Sequence, residues 1–387
     1  MKRGVWAAVM GVLLRLFLFR GCNVTQLHER MIVQGIGVDY TEGSYVVTMH
    51  VFDAVSAGQG SEGGTDEVQV LTAQGDSVLD AFTSITRQAG HEPLYSQNLV
   101  LILGEEVAKE GLEQVLDFFI RYYEARPDVN MFVARGLAAD ILNSEADGKR
   151  IQAAQIEDLS QANGLYAVPS SSTVMHVAAA LESETASPNI AVLKKAKIGE
   201  NDVISADGTA LFRDGRMVGY LDHDQTRGMM LMMGETGGGT EVLEVEGVGR
   251  VTFSLGKNKS EITTKIENGL PVFTITVQTD ANIYEIDRSV RDKLTGDSFR
   301  YMNEALKQRL EEECRGALQT CIMENRSDIF QFGKRVLQAD PAYYREYVEG
   351  QWDTMMAKAQ YHVQVDVSIK RVGQELNPLA YRAFLLS

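Results

Sequence analysis

The chain has 387 residues, and a net charge of −16 is its strongest compositional signal. This length predicts two or three domains, since a typical domain has about 150 residues. The 44% hydrophobic and 23% charged fractions are those of a globular protein, and they exclude a largely disordered chain or a polytopic membrane protein. An acidic surface repels phosphate backbones, so nucleic acid is not an expected partner.

The first 22 residues are typical of an export signal. Two basic residues precede the apolar stretch 5–14, which is shorter than the ~20 residues of a membrane span, and a glycine precedes Cys22. This order resembles a bacterial lipoprotein signal, in which the cysteine thiol is diacylated after cleavage. We therefore predict a signal peptide at 1–21 and lipidation of Cys22. Phe19 and Arg20 depart from the usual lipoprotein pattern, and the alternative is an uncleaved N-terminal anchor with an incidental cysteine.

Residues 22–143 are predicted to form an N-terminal α+β domain. Strands at 31–39 and 45–52 flank a turn, and a Gly- and Ser-rich loop follows at 56–65. The next predicted elements are a helix at 78–89, a strand at 99–103, an amphipathic helix at 105–123 with Ile120 toward the core, and a strand at 129–135. This order predicts one parallel crossover.

Residues 144–201 are predicted to be a helical middle region that includes a polar linker at 183–188 and a strand at 189–195. Residues 202–387 are predicted to form a C-terminal α+β domain that begins with a hairpin at 206–221. The later strands are predicted at 241–246, 250–255, 261–267, 272–284 and 361–369, and the helices at 298–325, 327–338 and 342–358. The whole pattern predicts mixed or antiparallel sheets with packed helices in two to three subdomains.

Cys314 and Cys321 lie seven residues apart in one predicted helix, a rise of about 10.5 Å. A disulfide requires Cα atoms within about 7 Å, so we interpret both as buried small residues. The six histidines are scattered without a zinc motif. We predict no catalytic, cofactor-binding or metal-binding residue, and hence no enzyme and no cofactor.

Three short motifs receive structural interpretations. Residues 222–224, Asp-His-Asp, are expected to cap a helix rather than to catalyse a reaction. The methionine-rich stretch 229–233 is expected to face the core, with an adaptable binding surface as the alternative. Gly35 and Gly37 indicate close strand packing, because the third glycine of a dinucleotide-binding fingerprint is absent.

Four groups of segments stand out in chain order. They are Gly21-Cys22 with His28-Glu29 and Gly35–Asp39; Tyr95–Leu112 with Asp117-Phe118, Arg121 and Arg126-Pro127; Gly208–Phe212 with Val218–Leu221 and Thr226–Gly228; and Asp328–Gly333 with Pro341, Trp352 and the last strand. Together they resemble the Ger(x)C family, the lipoprotein subunits of spore germinant receptors in spore-forming Gram-positive bacteria. The family usually has Trp-Asp after the lipidated cysteine, whereas Asn23-Val24 follows here.

The resemblance implies three packed α+β subdomains without a cofactor or known catalysis. It also implies a lipid anchor on the outer face of the cytoplasmic membrane, in the inner membrane of the spore, and assembly with two integral-membrane subunits. The complex would respond to nutrients such as amino acids or sugars. Two alternative functions are an exported solute-binding lipoprotein and a hydrolase of the spore envelope, the latter requiring a carboxylate pair in a cleft.

If the chain is a scaffold subunit, contacts with membrane partners are expected near the anchored end and along 208–228 and 328–333, although core packing explains the same pattern. Arg227 distinguishes the interface interpretation from core packing. It lies beside the methionine cluster and either pairs with a residue of this chain or contacts a partner protein. The interface interpretation places Arg227 at the surface. It predicts that Arg227→Ala changes the free energy of unfolding by at most ~0.5 kcal/mol and weakens assembly of the receptor.

Overall fold

The computed structural model describes residues 30–53, 68–121, 125–144, 152–161, 172–199, 201–235, 238–286 and 295–372. Within these ranges the chain forms two β-sheets with packed helices, which confirms the predicted α+β class. Cys22 and the predicted loop at 56–65 lie outside the described residues.

The larger sheet has nine strands: β1 (Arg30–Thr41), β2 (Ser44–Asp53), β3 (Val68–Gly75), β4 (Glu92–Leu94), β5 (Val100–Leu103), β6 (Asn130–Ala134), β7 (Asn189–Ile198), β8 (Asn201–Arg213) and β9 (Arg216–Leu221). Their order is β3-β2-β1-β5-β6-β7-β8-β9, with β4 beside β1. The pairs β1–β5, β5–β6 and β6–β7 are all parallel, so the sheet has more parallel pairing than the single predicted crossover. The sequence prediction omitted β3 and β4.

Helices cover both faces of this sheet: α1 (Val78–Ala89), α2 (Glu105–Glu110), α3 (Glu113–Arg121), α4 (Ala138–Leu142), α5 (Gln152–Gln161) and α6 (Val174–Leu181). Ser77 caps the start of α1, and Gly90 ends it in the left-handed conformation. The helix predicted at 105–123 is two helices, because Gly111 adopts φ +141° between them. Ile120 is 61% exposed, so its predicted place in the core is wrong.

The smaller sheet consists of β10 (Gly239–Val245), β11 (Gly249–Glu267), β12 (Leu270–Ile286) and β13 (Gln360–Val372), in that order. The strands predicted at 250–255 and 261–267 are one strand, since β11 continues through a bulge between Leu255 and Asn258. The strand predicted at 361–369 lies within β13, where Val363 and Val365 are buried while their neighbours are exposed, so one face of the strand packs against the core.

The helices packed on the smaller sheet are α7 (His223–Met233), α8 (Gly296–Leu318) with a π-helical extension (Gln319–Glu324), α9 (Phe332–Ala339), α10 (Pro341–Tyr343) with a π-helical extension (Tyr344–Val348), and α11 (Trp352–Lys358). Residues 327–331, predicted as helix, form a loop in which Gln331 adopts a left-handed φ of 57°. Cys314 and Cys321 are buried free thiols, as predicted.

The β8–β9 hairpin connects the two halves of the described chain. Its strands complete the larger sheet, and Ala210 and Phe212 lie in the core of that sheet. Leu211 and Leu221, which point the other way, lie in the core of the smaller sheet. The hairpin therefore contributes to both cores, and α7 follows it directly.

Candidate functional site

The linker 183–188 and the loop 327–331 meet between the two halves. The Ser187 amide donates to the Asp328 carbonyl oxygen at 3.0 Å, and the Asp328 amide donates to Ser187 Oγ at 3.2 Å. Beside this contact, a Cβ on Gly333 would lie 2.5 Å from Thr185 Cβ, so the site requires glycine. These contacts hold the segment before β7 against the segment before α9. We call this region the junction.

The Asp328 side chain organises the loop of the junction. Its carboxylate accepts hydrogen bonds from the amides of Phe332 and Gly333, both at 2.9 Å, and from Trp352 Nε1 at 3.1 Å. Burial raises the pKa of Asp328 to about 6, although the three donors favour the ionised form. The carboxylate thus joins the loop, the start of α9 and α11 from inside the protein.

A cavity of about 280 Å³ lies next to the junction. Its lining comes from α6, the linker, the end of α7, the loop 327–331 and α9, and includes His176, Val177, Ser183, Asn189, Met233, Glu235, Ile329, Gln331 and Lys334. Glu235 Oε2 is buried and has no hydrogen-bond partner among the described residues. Lys334 Nζ approaches Gln331 Oε1 at 3.5 Å. The cavity therefore holds a carboxylate and an ammonium group among apolar and polar neighbours.

A network of buried charges joins α7, α8 and β10. Arg227 is 7% exposed, and its guanidinium donates to both carboxylate oxygens of Glu313 and to Glu241; the Nε–Oε2 distance to Glu313 is 2.8 Å. Arg309 extends the network toward the surface, bonding Glu241 at 3.0 Å and Asp224 at 2.5 Å. Burial raises the pKa of Glu313, and the neighbouring Arg227 opposes this rise.

The network corrects the interface interpretation of Arg227. The side chain is buried and paired locally, so its predicted position at the surface is wrong, and the small stability change was expected only for a surface site. In the same helix, Met229 and Met230 lie in the core, which confirms the core interpretation of the methionine cluster. Asp222 forms a capping box with Gln225 at the start of α7, which confirms the capping interpretation of residues 222–224.

The segments that suggested a family serve packing in the described structure. Asp39, at the end of the motif in β1, accepts hydrogen bonds from the amides of Ala138 and Ala139 at 2.7 and 3.0 Å. Gly104 leaves space for this carboxylate, since a Cβ there would lie 2.1 Å from Asp39 Oδ1. Gly37 packs against α4 in the same way, with a Cβ position 3.0 Å from Leu142. These residues were visible as motifs, but their partners were not.

Glu235, Lys334 and Ser187 were missed by the sequence analysis. Each belongs to an abundant residue type without a motif around it, and their neighbours in the junction come from distant parts of the chain. Ser254-Leu255-Gly256-Lys257, which fits a loose Ser-x-x-Lys pattern, lies in β11 and its bulge and contributes no residue to the lining of the cavity.

No group of His, Cys, Asp and Glu side chains is arranged to hold a metal ion in the described parts of the chain. Among the helices described here, none is long and apolar enough to cross a membrane.

Comparison with solved structures identifies the class of fold. The chain resembles a protein described as "Crystal Structure of the GerBC protein" with a TM-score of 0.55 and 22% identity, covering 87% of this chain and 96% of that one. It therefore shares the α+β fold of that protein. Two family models also match, "Spore germination protein N-terminal domain" at residues 23–195 and "Spore germination B3/ GerAC like, C-terminal" at residues 207–373.

The chain belongs to the GerAC-like family of spore germination proteins. One relative, spore germination protein B3 of Bacillus subtilis (strain 168), is 25% identical over 91% of this chain and 94% of its own length. A second relative from the same organism, putative spore germination protein YfkR, is 20% identical over 96% of this chain and 98% of its own length.

Proposed function

We propose that this chain is a non-enzymatic, lipid-anchored subunit of a nutrient germinant receptor in the inner membrane of the spore. It would assemble there with two integral-membrane subunits through its protein surface. The observation that carries this proposal is the pair of family matches, which together span residues 23–195 and 207–373 and begin directly after Cys22. A mature chain that starts at an acylated Cys22 fits that beginning.

The geometry of the described residues favours a binding and assembly role over hydrolysis. A glycoside hydrolase needs two carboxyl groups about 5–10 Å apart around its substrate. Glu235 is the one carboxylate among the described residues that line the junction cavity. Among the buried acids elsewhere, Asp39 and Asp328 accept hydrogen bonds from backbone amides, and Glu241 and Glu313 are paired with Arg227.

The anchor at Cys22 can be tested by mass spectrometry of protein purified from the native spores. We expect a mature N-terminus at Cys22 that carries a diacylglyceryl group, because two acyl chains give the stable attachment that one chain cannot give. A Cys22→Ala variant should keep the signal peptide or leave the membrane fraction. An intact Met1, or an unmodified Cys22 thiol in the wild type, contradicts lipidation.

Assembly can be tested by tagging the C-terminus and capturing the protein from detergent-solubilised spore membranes. We expect two polytopic membrane proteins to co-purify in a constant ratio and spores lacking this chain to lose the nutrient response. An untagged strain controls for capture by the resin. If the chain is recovered alone from the membranes of spores that still respond to nutrients, the proposed subunit role is contradicted.

A further inference from the structure

The junction cavity contains two opposite charges that face one space without pairing with each other. Glu235 lies two residues after the end of α7, and Lys334 lies in the first turn of α9, which follows the loop 327–331. The hydrogen bond found for Lys334 Nζ is a long one of 3.5 Å to Gln331, and Glu235 Oε2 has no partner in the described part of the chain. We propose that this cavity binds a small zwitterion, with its ammonium group against Glu235 and its carboxylate against Lys334.

The buried oxygen of Glu235 gives the cavity its preference for a cation. A carboxylate oxygen that is removed from water without a hydrogen bond costs free energy, and an ammonium group supplies the missing donors together with an opposite charge. Lys334 provides the complementary point charge for an anion and is exposed enough to adjust to it. A ligand with both charges satisfies both ends of the cavity, whereas a singly charged ligand leaves one end unmatched.

The size and the walls of the cavity limit the rest of the ligand. Its volume of about 280 Å³ lies at the small end of the range typical of ligand pockets, about 300–1,000 Å³. Val177, Met233 and Ile329 contribute apolar side chains to the lining that also contains Glu235 and Lys334. Methionine adapts its shape to an apolar group. The cavity thus suits an α-amino acid with a short aliphatic side chain.

The position of the cavity links ligand binding to the arrangement of the two halves. His176 and Asn189 come from the part of the chain matched by the first family model, and Met233 and Lys334 come from the part matched by the second. A ligand held by both parts stabilises the packed junction over any opened arrangement, because it binds only where both linings are present. Binding therefore also raises the unfolding temperature.

The chemistry can be tested on the full-length chain in detergent micelles with three probes of similar shape. L-valine carries both charges, isobutylamine lacks the carboxylate, and 3-methylbutanoate lacks the ammonium group. Isothermal calorimetry and saturation-transfer NMR are expected to detect L-valine and to find both analogues weaker by about tenfold or more, since each leaves one charge unpaired. No L-valine binding at about 10 mM, which saturates a millimolar site, overturns the proposal.

Two variants locate the site. Glu235→Gln and Lys334→Gln are each expected to weaken L-valine binding about tenfold while leaving the far-UV circular dichroism unchanged. The matched controls Glu267→Gln and Lys265→Gln change exposed residues of β11 and are expected to bind normally. Equal binding by all four variants, or equal binding of the three probes, shows that the ligand lies elsewhere or is not read as a zwitterion, and overturns the proposal.

The outcome is independent of the proposed assembly, because the isolated chain is measured. If the cavity is instead filled by a segment of a membrane partner, L-valine fails to bind the isolated chain, and Lys334 becomes protected from acetylation only in the assembled complex. That result overturns the zwitterion site and leaves the subunit role intact.

Discussion

Arg227 shows how burial changes the consequence of a single charge. Replacing Arg227 with Ala removes one of two cationic partners from each of the buried carboxylates Glu313 and Glu241 and leaves them with Arg309 alone. Breaking a buried ion pair by removing one member is expected to lower the free energy of unfolding by about 3–5 kcal/mol. Urea denaturation followed by circular dichroism measures this difference.

Arg300 supplies the matched control for this prediction. It belongs to the same helix as Glu313 and pairs with Asp297 at 3.1 Å, but both side chains are about two-thirds exposed. Arg300→Ala is expected to change the free energy of unfolding by less than ~0.5 kcal/mol. Equal effects of the two substitutions contradict a structural role for the buried network.

Asp328 predicts a pH dependence of stability. Its pKa of about 6 in the folded protein exceeds the ordinary value near 4, so between pH 4 and 6 the folded state holds a proton that the unfolded chain has released. The free energy of unfolding contributed by this group is therefore greatest below pH 4 and falls as the pH rises to 6, by about 2–3 kcal/mol. The wild type measured against Asp328→Asn isolates this decrease.

The wild type must be compared with Asp328→Asn because Asp39 and Glu313 also have raised pKa values, caused first by burial. These groups change the free energy of unfolding with pH in the same direction as Asp328. Both proteins share these groups, so their contributions cancel in the comparison. Asp366→Asn, an exposed substitution on β13, serves as the control. A difference between wild type and Asp328→Asn that stays constant from pH 4 to 7 contradicts the raised pKa.

Local contacts could be predicted from the sequence, whereas contacts between distant residues could not. The capping role of Asp222 depends on Gln225, three positions away, and local spacing revealed it. Arg227 depends on Glu241 and on Glu313, which lies 86 residues away, and local spacing carries no information on such a pair. The same holds for Glu235 and Lys334 in the junction cavity.

At the scale of elements, the contact between α7 and α8 depends on one glycine. A Cβ on Gly228 would lie 2.3 Å from the carbonyl oxygen of Glu313, which is backbone and cannot move aside. Gly228→Ala is expected to separate the two helices and destabilise the protein by about 1–3 kcal/mol, despite the better helix propensity of Ala. Thermal unfolding measures this loss.

Gly316, in α8, provides the opposite expectation. A Cβ there would meet only Gln225 Cγ at 3.6 Å, an ordinary contact. Gly316→Ala is expected to stabilise the protein by up to ~1 kcal/mol, since Ala favours the helix. The two Gly→Ala substitutions are thus expected to change stability in opposite directions. A stabilising Gly228→Ala contradicts the close approach of the helices.

Elements with a strong period were predictable, and elements set by neighbours were not. α1 and β13 follow helical and alternating patterns, and both agree with the prediction. β3 was missed because its exposed edge position leaves only a weak alternation, with Val70 half exposed. The break between α2 and α3 depends on the backbone of Gly111, which a continuous apolar stripe conceals.

At the scale of the whole molecule, the β8–β9 hairpin decides where the chain can be divided. The first family match ends at residue 195, within β7, and the predicted domain limit at 201/202 lies at the start of β8. A cut at either limit divides the larger sheet, because the hairpin of β8 and β9 at 201–221 supplies its last two strands. The domain limits stay a prediction, and the sheet suggests a different division after residue 221.

Two fragments that differ only in this hairpin test the division. Fragment 23–195 leaves β7 as an open edge and removes Phe212 from the core of the larger sheet, so it is expected to aggregate or to unfold without a cooperative transition. Fragment 23–221 restores nine strands and exposes chiefly Leu211 and Leu221, which lie in the other core. We expect it to remain monomeric by size-exclusion chromatography and to unfold cooperatively in urea. If 23–195 unfolds with the same cooperativity and midpoint as 23–221, the hairpin is dispensable and the larger sheet is not the unit that folds.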